Sequence, residues 1–209
     1  MARVRGKAVK AVGVILAGGR GRRMGGVDKA FVALDGTPMI GHVIRRLARQ
    51  VDALAINAGG DPARFAAFGL PVLPDPVPDQ PGPLAGILAG MRWAGQQGAS
   101  HVVTAATDTP FLPSDLVDRL TGAANRTHQP IALAESGGRL HPTFGLWPVS
   151  LADDLALALE AGIRKVGAWA LGEGAARVAF ADLPHDPFFN INTPGDLDTA
   201  HRILTGDQA

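Results

Sequence analysis

The sequence predicts an α/β protein built on a three-layer, doubly wound and mostly parallel sheet. Two observations predict this class. Short apolar runs alternate with longer amphipathic stretches of helical periodicity, and glycine-rich or polar segments follow the apolar runs. A chain of 209 residues can bury the core of one such domain. We therefore predict a single domain over residues 11–209, preceded by a basic tail at residues 1–10.

Apolar runs bounded by turn-forming residues identify the strands. Strands are predicted at 12–17, 53–57, 71–73, 101–105, 131–134 and 177–181, and 139–147 is a candidate antiparallel strand. Helical stretches are predicted at 39–50, 62–68, 84–97, 113–123, 150–159 and 193–204. The last helix has a clear start signal, because Thr193 provides a capping side chain and Pro194 suits the first helical position.

Composition and charge narrow the class of protein. Hydrophobic residues make up 46% of the chain, charged residues 19%, and the net charge is +1. This balance is typical of a globular protein and lacks the basic excess of a nucleic-acid binder. The absence of cysteine excludes disulfides, thiolate zinc sites, iron–sulfur clusters and a cysteine nucleophile, and it fits a reducing compartment.

The amino terminus has a superficial likeness to a signal peptide, because residues 1–10 are basic and residues 11–17 are apolar. The apolar part is short and ends in glycines and arginines, so a buried strand fits it better. No other run approaches the roughly 20 apolar residues of a membrane span. We expect a cytoplasmic protein with no membrane association.

The segment between Val12 and Lys29 is the most informative part of the chain. It runs from an apolar strand into a loop with five glycines, and the same loop carries four cations, Arg20, Arg22, Arg23 and Lys29. Glycines let backbone N–H groups converge on an anion, and the cations supply the opposite charge. The pattern predicts a site for a polyphosphate, most simply a nucleoside triphosphate.

Two common glycine fingerprints do not fit this loop. A dinucleotide-binding G-x-G-x-x-G that starts at Gly19 meets Met24 in place of its third glycine. A Walker A loop needs Lys and then Ser or Thr after its last glycine, but Val27 and Asp28 follow Gly26. Neither a dehydrogenase nor a P-loop NTPase is supported.

The loop instead resembles the L-A-G-G-x-x-x-R-M-G-x-D-K signature of the molybdenum cofactor guanylyltransferases. The resemblance continues along nearly the whole chain through six further motifs, namely Asn57, Asp75, Gly82-Pro-Leu-Ala-Gly86, Thr107-Asp108-Thr-Pro110, His141-Pro-Thr143 and Asn190-Ile-Asn-Thr-Pro194. It implies a Rossmann-like nucleotidyltransferase fold. Because the motifs follow predicted strands, we expect them to meet in one cleft at the carboxyl edge of the sheet.

The resemblance also implies roles for individual residues. Lys29 and Arg23 would act on the triphosphate, and Asp108 would bind Mg²⁺ and share in catalysis. Residues assigned to the nucleotide are Leu16, Ala17, Gly18, Gly19, Lys29, Asn57, Asp75 and Asp108, and those assigned to the acceptor side are Asn190 and Asn192. The local sequence leaves other interpretations open. Asn57 is equally typical of a turn. Asp108 is also compatible with a helix cap or a turn.

The implied reaction is transfer of GMP from GTP to the terminal phosphate of molybdopterin that carries molybdenum, with release of pyrophosphate. Implied partners are GTP, molybdenum-bearing molybdopterin and proteins that take over the finished cofactor, and a monomer is favoured. Two alternatives remain open at this stage. One is a cytidylyltransferase acting on the molybdenum cofactor or on a sugar or polyol phosphate, and the other is a nucleotide sensor without turnover.

Overall fold

The computed structural model describes residues 11–18, 28–76 and 82–206. Within them, the strands are β1 (Ala11–Leu16), β2 (Ala33–Leu34), β3 (Thr37–Pro38), β4 (Leu54–Asn57), β5 (Val72–Leu73), β6 (His101–Ala106), β7 (Ile131–Ser136), β8 (Arg139–Pro148) and β9 (Ala175–Phe180). The α-helices are α1 (Met39–Leu47), α2 (Pro83–Gln96), α3 (Leu116–Thr127), α4 (Ala152–Glu160), α5 (Val166–Gly172) and α6 (Pro194–Thr205). Short 3-10 helices occur at Lys29–Phe31, Pro62–Phe68 and Val149–Leu151.

The main sheet has seven strands in the order β5-β4-β1-β6-β8-β7-β9. Strands β5, β4, β1 and β6 are parallel neighbours, β8 runs antiparallel to both β6 and β7, and β9 is parallel to β7. The sheet is therefore mostly parallel, as the sequence predicts. The candidate strand at 139–147 is confirmed as antiparallel β8. Chain order reverses on the two sides of β1, so the carboxyl ends of β4, β1 and β6 form a topological switch point.

Side chains alternate between the two faces of β1, and each face is covered by helices. Ile15 packs with α1 and α3 in one buried cluster, whereas Val12 and Val14 pack with α2, α4 and α5 in another. A third, smaller cluster joins Leu34 to α6 through Ala200. The three layers that the sequence predicts are confirmed, and they hold the carboxyl edge of the sheet in place.

The structure adds elements that the sequence analysis did not predict. One is the small β2–β3 hairpin, and another is helix α5. Residues 62–68 form a 3-10 helix, with Asp61 accepting from the amide of Ala63 at its start. Among the described residues, no helix is both long and apolar enough to span a membrane. The basic tail at 1–10 lies outside the described residues.

Candidate active site

A cavity of about 400 Å³ opens at the carboxyl ends of β1, β4 and β6. Its lining combines strand ends, the start of α2 and the segment before α6, and comprises Leu16, Ala17, Gly18, Asp28, Lys29, Asn57, Gly82, Pro83, Ala106, Thr107, Asp108, Thr143, Asn190 and Asn192. The switch point of an open α/β sheet is the usual place for a ligand. Because α2 begins at Pro83, the positive end of its dipole also faces the cavity and favours an anion there.

Lys29 and Asp108 meet across this cavity. The Lys29 Nζ lies 3.5 Å from Asp108 Oδ2, and the two side chains are 19% and 21% exposed. Lys29 Nζ also donates a short hydrogen bond to the side-chain carbonyl of Asn192. The ammonium is thus held between a carboxylate and an amide oxygen at the point where β6 ends, which makes it a preorganised cation for a phosphate group.

The backbone of Asn192 is fixed by the cap of α6. Asp196 Oδ2 accepts from the amide of Asn192 and from that of Thr193, at 2.9 Å each, and Thr193 Oγ1 accepts from the amide of Asp196 at 3.2 Å. The capping side chain predicted at Thr193 is confirmed, and with Asp196 it forms a capping box. The hydrogen bond from the Asn192 amide is the main cause that lowers the pKa of Asp196, and the charge of Lys29 adds to it.

Asn190 is bound on the other side of Asp108. Thr109 Oγ1 donates to Asn190 Oδ1 at 2.9 Å, and the amide of Ile191 donates to the carbonyl of Asp108 at 2.9 Å. Two loop segments, 107–109 and 190–192, are therefore joined to each other by hydrogen bonds next to Asp108. Both asparagines lie in the same cavity as Lys29 rather than in a separate one.

The opposite wall of the cavity is built by β1 and β4. The amide of Ala17 donates to the carbonyl of Asn57 at 2.8 Å, which continues the parallel ladder past the end of β1. The Asn57 side chain is buried, and its Nδ2 donates to the carbonyl of Leu73 at 3.1 Å and to Asp75 Oδ1 at 2.9 Å. This amide thus links the end of β4 to the segment that follows β5.

Asp28 is a cavity residue that the sequence analysis did not single out. Its Oδ1 accepts from the amide of Ala30 at 3.0 Å and so starts the 3-10 helix that carries Lys29. Its Oδ2 accepts from Arg64 at 2.6 Å, and Arg64 also donates to the carbonyl of Gly59 at 2.9 Å. Arg64 therefore clamps the start of the Lys29 segment to the loop after β4.

Residues 13–177 match the family model described as the MobA-like NTP transferase domain, which covers most of the chain. The chain belongs to this family. It is 53% identical over 195 residues to a molybdenum cofactor guanylyltransferase of Cereibacter sphaeroides, a match that covers 93% of this chain and 97% of the relative.

Further relatives support the same family assignment. A molybdenum cofactor guanylyltransferase of Bradyrhizobium sp. (strain ORS 278) is 50% identical over 194 residues, covering 91% of this chain and 92% of that protein. Among solved structures, molybdopterin-guanine dinucleotide biosynthesis protein A of Archaeoglobus fulgidus superimposes with a TM-score of 0.73 at 25% identity, covering 93% and 99% of the two chains. The chain is accordingly a nucleotidyltransferase.

This MobA-like chain also contains a Ser-His-Asp cluster outside the cavity lining, in which Ser136 and His141 are buried and Asp186 is partly exposed. Ser136 Oγ lies 2.7 Å from His141 Nε2 and donates to Asp186 Oδ1 at 2.7 Å. The serine oxygen stands between the other two groups and gives its proton to the carboxylate, so the histidine does not activate it as a nucleophile. His141 also stacks on Phe188, with ring centroids 4.6 Å apart. The cluster joins β7 and β8 to the chain that leads to Asn190.

The structure brings most of the sequence-predicted residues together. Leu16, Ala17, Gly18, Lys29, Asn57, Asp108, Asn190 and Asn192 all line one cavity. Asp75 does not line it and is attached to its wall by the hydrogen bond from Asn57. Arg23 and Gly19 lie outside the described residues. Adjacency to Lys29 was the available signal for Asp28 and the helix-start pattern at Thr193 was the one for Asp196, whereas Arg64 acts through a contact that the sequence does not reveal.

The donor set at Asp108 is compatible with Mg²⁺. Among the described residues, no group of three or more His, Cys, Asp or Glu side chains forms a self-sufficient metal site. Mg²⁺, however, is commonly held by one or two carboxylates together with the phosphates of the substrate and water. Asp108 lines the cavity at the end of β6 and can serve as such a carboxylate.

Proposed function

We propose that this chain transfers GMP from GTP to the terminal phosphate of molybdopterin that carries molybdenum, forming the guanine dinucleotide form of the cofactor and releasing pyrophosphate. The observation that carries the proposal is the convergence of Lys29, Asp108 and Asn57 on one cavity at the switch point of the sheet. The names of the curated relatives at about half identity support the choice of substrate.

The β1–β4 wall suits the base and the Lys29 wall suits the phosphates. A carboxylate such as that of Asp75 can accept from both guanine N1–H and N2–H₂, a pair of adjacent donors that adenine, cytosine and uracil do not offer. Charge for the triphosphate comes from Lys29 at the opposite wall and from the positive end of α2, whose first turn packs against Leu16 and Asn57. Gly18 leaves the space between these walls open at the end of β1.

The chemistry needs no protein nucleophile. An oxygen of the acceptor phosphate attacks the α-phosphorus of GTP, the new P–O bond forms, and the bond to the β-phosphate oxygen breaks to release pyrophosphate. The attacking oxygen is already anionic at neutral pH, so a general base is not required. The chain's contribution is to align the two phosphates and to stabilise charge, for which Lys29 is the best-positioned group.

Mg²⁺ belongs to the proposal as the metal held by Asp108 and the phosphates. When bound, it would neutralise charge on the phosphate oxygens. Arg23 and Gly19 are proposed as further triphosphate contacts from the sequence signature alone. Asn190 and Asn192 are proposed to face the acceptor phosphate, and their own hydrogen bonds to Thr109 and Lys29 would fix them in that position.

The partners in this proposal are GTP, molybdenum-bearing molybdopterin and a protein that takes over the product. The experiment that tests it is a pyrophosphate-release assay with Mg²⁺, molybdenum-loaded molybdopterin and each of the four nucleoside triphosphates, with and without the acceptor. Release that depends on both GTP and the acceptor is the expected result. Release with CTP would replace the proposal with cytidylyl transfer, and GTP binding without release would favour a sensor.

A further inference from the structure

The side-chain amide of Asn57 has no free hydrogen to offer a nucleotide. Asn57 ends β4 and is only 2% exposed. Its Nδ2 carries two hydrogens, and these are directed to the carbonyl of Leu73 and to Asp75 Oδ1, at 3.1 and 2.9 Å. Both amide hydrogens are therefore used within the protein. The shorter of the two hydrogen bonds is the one to the Asp75 carboxylate.

The other end of this amide is covered by Gly86 of helix α2. A Cβ built at Gly86 would lie 2.2 Å from Asn57 Oδ1, 3.0 Å from its Cγ and 2.8 Å from Leu16 Cδ2. Contacts under 3.0 Å do not occur for real Cβ atoms, so any other residue at this position would displace the amide or the helix. Glycine is needed here for close approach of the helix to β4 rather than for an unusual backbone angle.

Gly86, Asn57 and Asp75 therefore form a line of contacts from α2 through β4 to the segment after β5. Helix α2 fixes one face of the amide, and the amide fixes one oxygen of the carboxylate. Asp75 follows a strand of only two residues and is partly exposed, so its orientation depends on such a contact. A shift of the amide would reach the carboxylate directly, while Lys29 on the far wall would keep its partners.

We infer that Asn57 and Gly86 determine base selectivity by positioning the Asp75 carboxylate, without either of them contacting the base through a polar side-chain hydrogen. The inference rests on the proposed function, in which Asp75 reads the N1–H and N2–H₂ of guanine. Asn57 and Gly86 are positioning residues, and the partners of Lys29 do not include either of them. Loss of either contact should weaken recognition of the guanine edge and leave the Lys29 contact to the phosphates intact.

The test compares the binding of GTP with that of inosine triphosphate, which lacks the 2-amino group. Dissociation constants are measured by calorimetry with Mg²⁺ and without acceptor for the full chain, for Gly86→Ala and for Asn57→Ser. The unaltered protein should prefer GTP by roughly tenfold or more, as expected for a hydrogen bond to a charged group. Each variant should lose most of this preference, because GTP loses both of its hydrogen bonds to Asp75, whereas inosine triphosphate keeps N1–H but lacks the 2-amino group, so it loses one hydrogen bond and weakens less.

Two further variants complete the comparison. Gly172→Ala is the matched control, because a Cβ at Gly172 in α5 has nothing within 4 Å, and it should keep the full GTP preference. In the double variant Gly86→Ala, Asn57→Ser, the shorter serine relieves the clash at residue 57, and the remaining approach is to the terminal Cδ2 of the flexible Leu16 side chain, which can move aside. Its selectivity should therefore equal that of Asn57→Ser alone, which is the non-additivity expected of residues that act through one contact.

The outcomes separate this inference from the proposed function. Equal weakening of both nucleotides, or an unchanged preference in Asn57→Ser, would overturn the inference while guanylyl transfer by the unaltered protein still stands. A wild-type chain that binds both nucleotides equally would overturn the role of Asp75 together with the inference. Should Gly86→Ala not fold, Asn57→Ser decides alone, since it removes the contact to Asp75 without introducing a clash.

Discussion

The Lys29 ammonium lies 3.5 Å from Asp108 Oδ2, on the same carboxylate that we propose for Mg²⁺. The two residues are 79 positions apart in the chain and meet because β1 and β6 are neighbouring parallel strands. An ammonium and a divalent cation at one carboxylate repel each other. We therefore expect that a metal bound at Asp108 would drive Lys29 toward the phosphates and so couple metal binding to nucleotide binding.

Replacement of Lys29 by methionine should separate these two effects. Without the competing ammonium, Lys29→Met should bind Mn²⁺ about two- to fivefold more tightly in the absence of nucleotide, the range expected for a partly exposed ion pair. Turnover should nevertheless fall by roughly 100-fold or more, because the triphosphate loses its main cation. Electron paramagnetic resonance of free Mn²⁺ measures the first effect and pyrophosphate release the second.

The matched control is Lys165→Met, which removes an exposed lysine at the start of α5. This variant should leave both the Mn²⁺ affinity and turnover unchanged. If Lys29→Met bound Mn²⁺ no better than the unaltered protein, the ammonium would not compete with the metal, and the coupling argument would be wrong.

Removal of the Asp108 charge should abolish turnover without unfolding the protein. Asp108→Asn keeps the shape of the side chain and loses the anionic ligand for Mg²⁺, so we expect a loss of roughly 100-fold or more in pyrophosphate release. Thermal unfolding should change little, because the Lys29 pair is partly exposed. Asp153→Asn at the exposed start of α4 is the control, and comparable turnover of the two variants would exclude Asp108 as a metal ligand.

The main elements of the fold were predictable because their signals are local. Every residue of β1 is buried, and a wholly apolar run of this kind is typical of a central parallel strand. The β2–β3 hairpin was missed although Asp35 and Gly36 form a recognisable turn, with φ of 50° and 71°. Its strands have two residues each, too few to show a periodicity.

Helix α5 was missed for a different reason. It has seven residues and includes Gly167 and Gly172, so its intrinsic helix propensity is low. Tertiary contacts stabilise it, above all the stacking of Trp169 on Trp147 of β8, with ring centroids 6.2 Å apart. A contact between distant parts of the chain has no signature in the local sequence.

The candidate site likewise contains residues that the sequence predicts and residues that it does not. Lys29, Asn57 and Asp108 were predicted because each belongs to a motif near a strand end, and parallel strands bring those ends together. The groups that orient them could not be predicted from spacing. Arg64 reaches Asp28 across 36 positions of the chain, and nothing in the sequence around either residue indicates that pairing.

Arg64 is expected to support nucleotide binding through its clamp between Asp28 and the carbonyl of Gly59. Arg64→Ala should raise the KM for GTP about threefold, because the segment that carries Lys29 loses its tie to the loop after β4. The free energy of unfolding should fall by less than about 1 kcal/mol, since the ion pair is partly exposed. Steady-state kinetics and chemical denaturation measure the two quantities.

Two variants serve as references for this prediction. Arg64→Lys keeps the charge but has a single nitrogen where Arg64 uses two, so its KM should lie between those of the unaltered protein and Arg64→Ala. Arg177→Ala on β9 breaks a partly exposed pair with Glu135 of β7 and should leave the KM unchanged. An unchanged KM in Arg64→Ala would show that the clamp has no part in nucleotide binding.

His141 should make the stability of the fold depend on pH. Burial is the largest influence on its pKa and lowers it below the ordinary 6.5, against the raising effect of Asp186 and Glu135 and with the lowering effect of Arg139. Because Ser136 gives its proton to Asp186, the Nε2 of neutral His141 donates to the serine oxygen. The stabilisation is complete above pH 6.5 and is lost as the pH falls from there toward the lowered pKa.

The variant that tests this is His141→Gln, which can still donate to Ser136 but does not titrate. At pH 7.5 it should be less stable than the unaltered protein by about 1–2 kcal/mol, because the stacking on Phe188 is lost. The difference should narrow as the pH is lowered to about 5.5. The pKa of His101 is also lowered by burial, but that residue is common to both proteins and cancels in the difference. A gap that stays constant or widens on acidification would mean that His141 is not held in its neutral form.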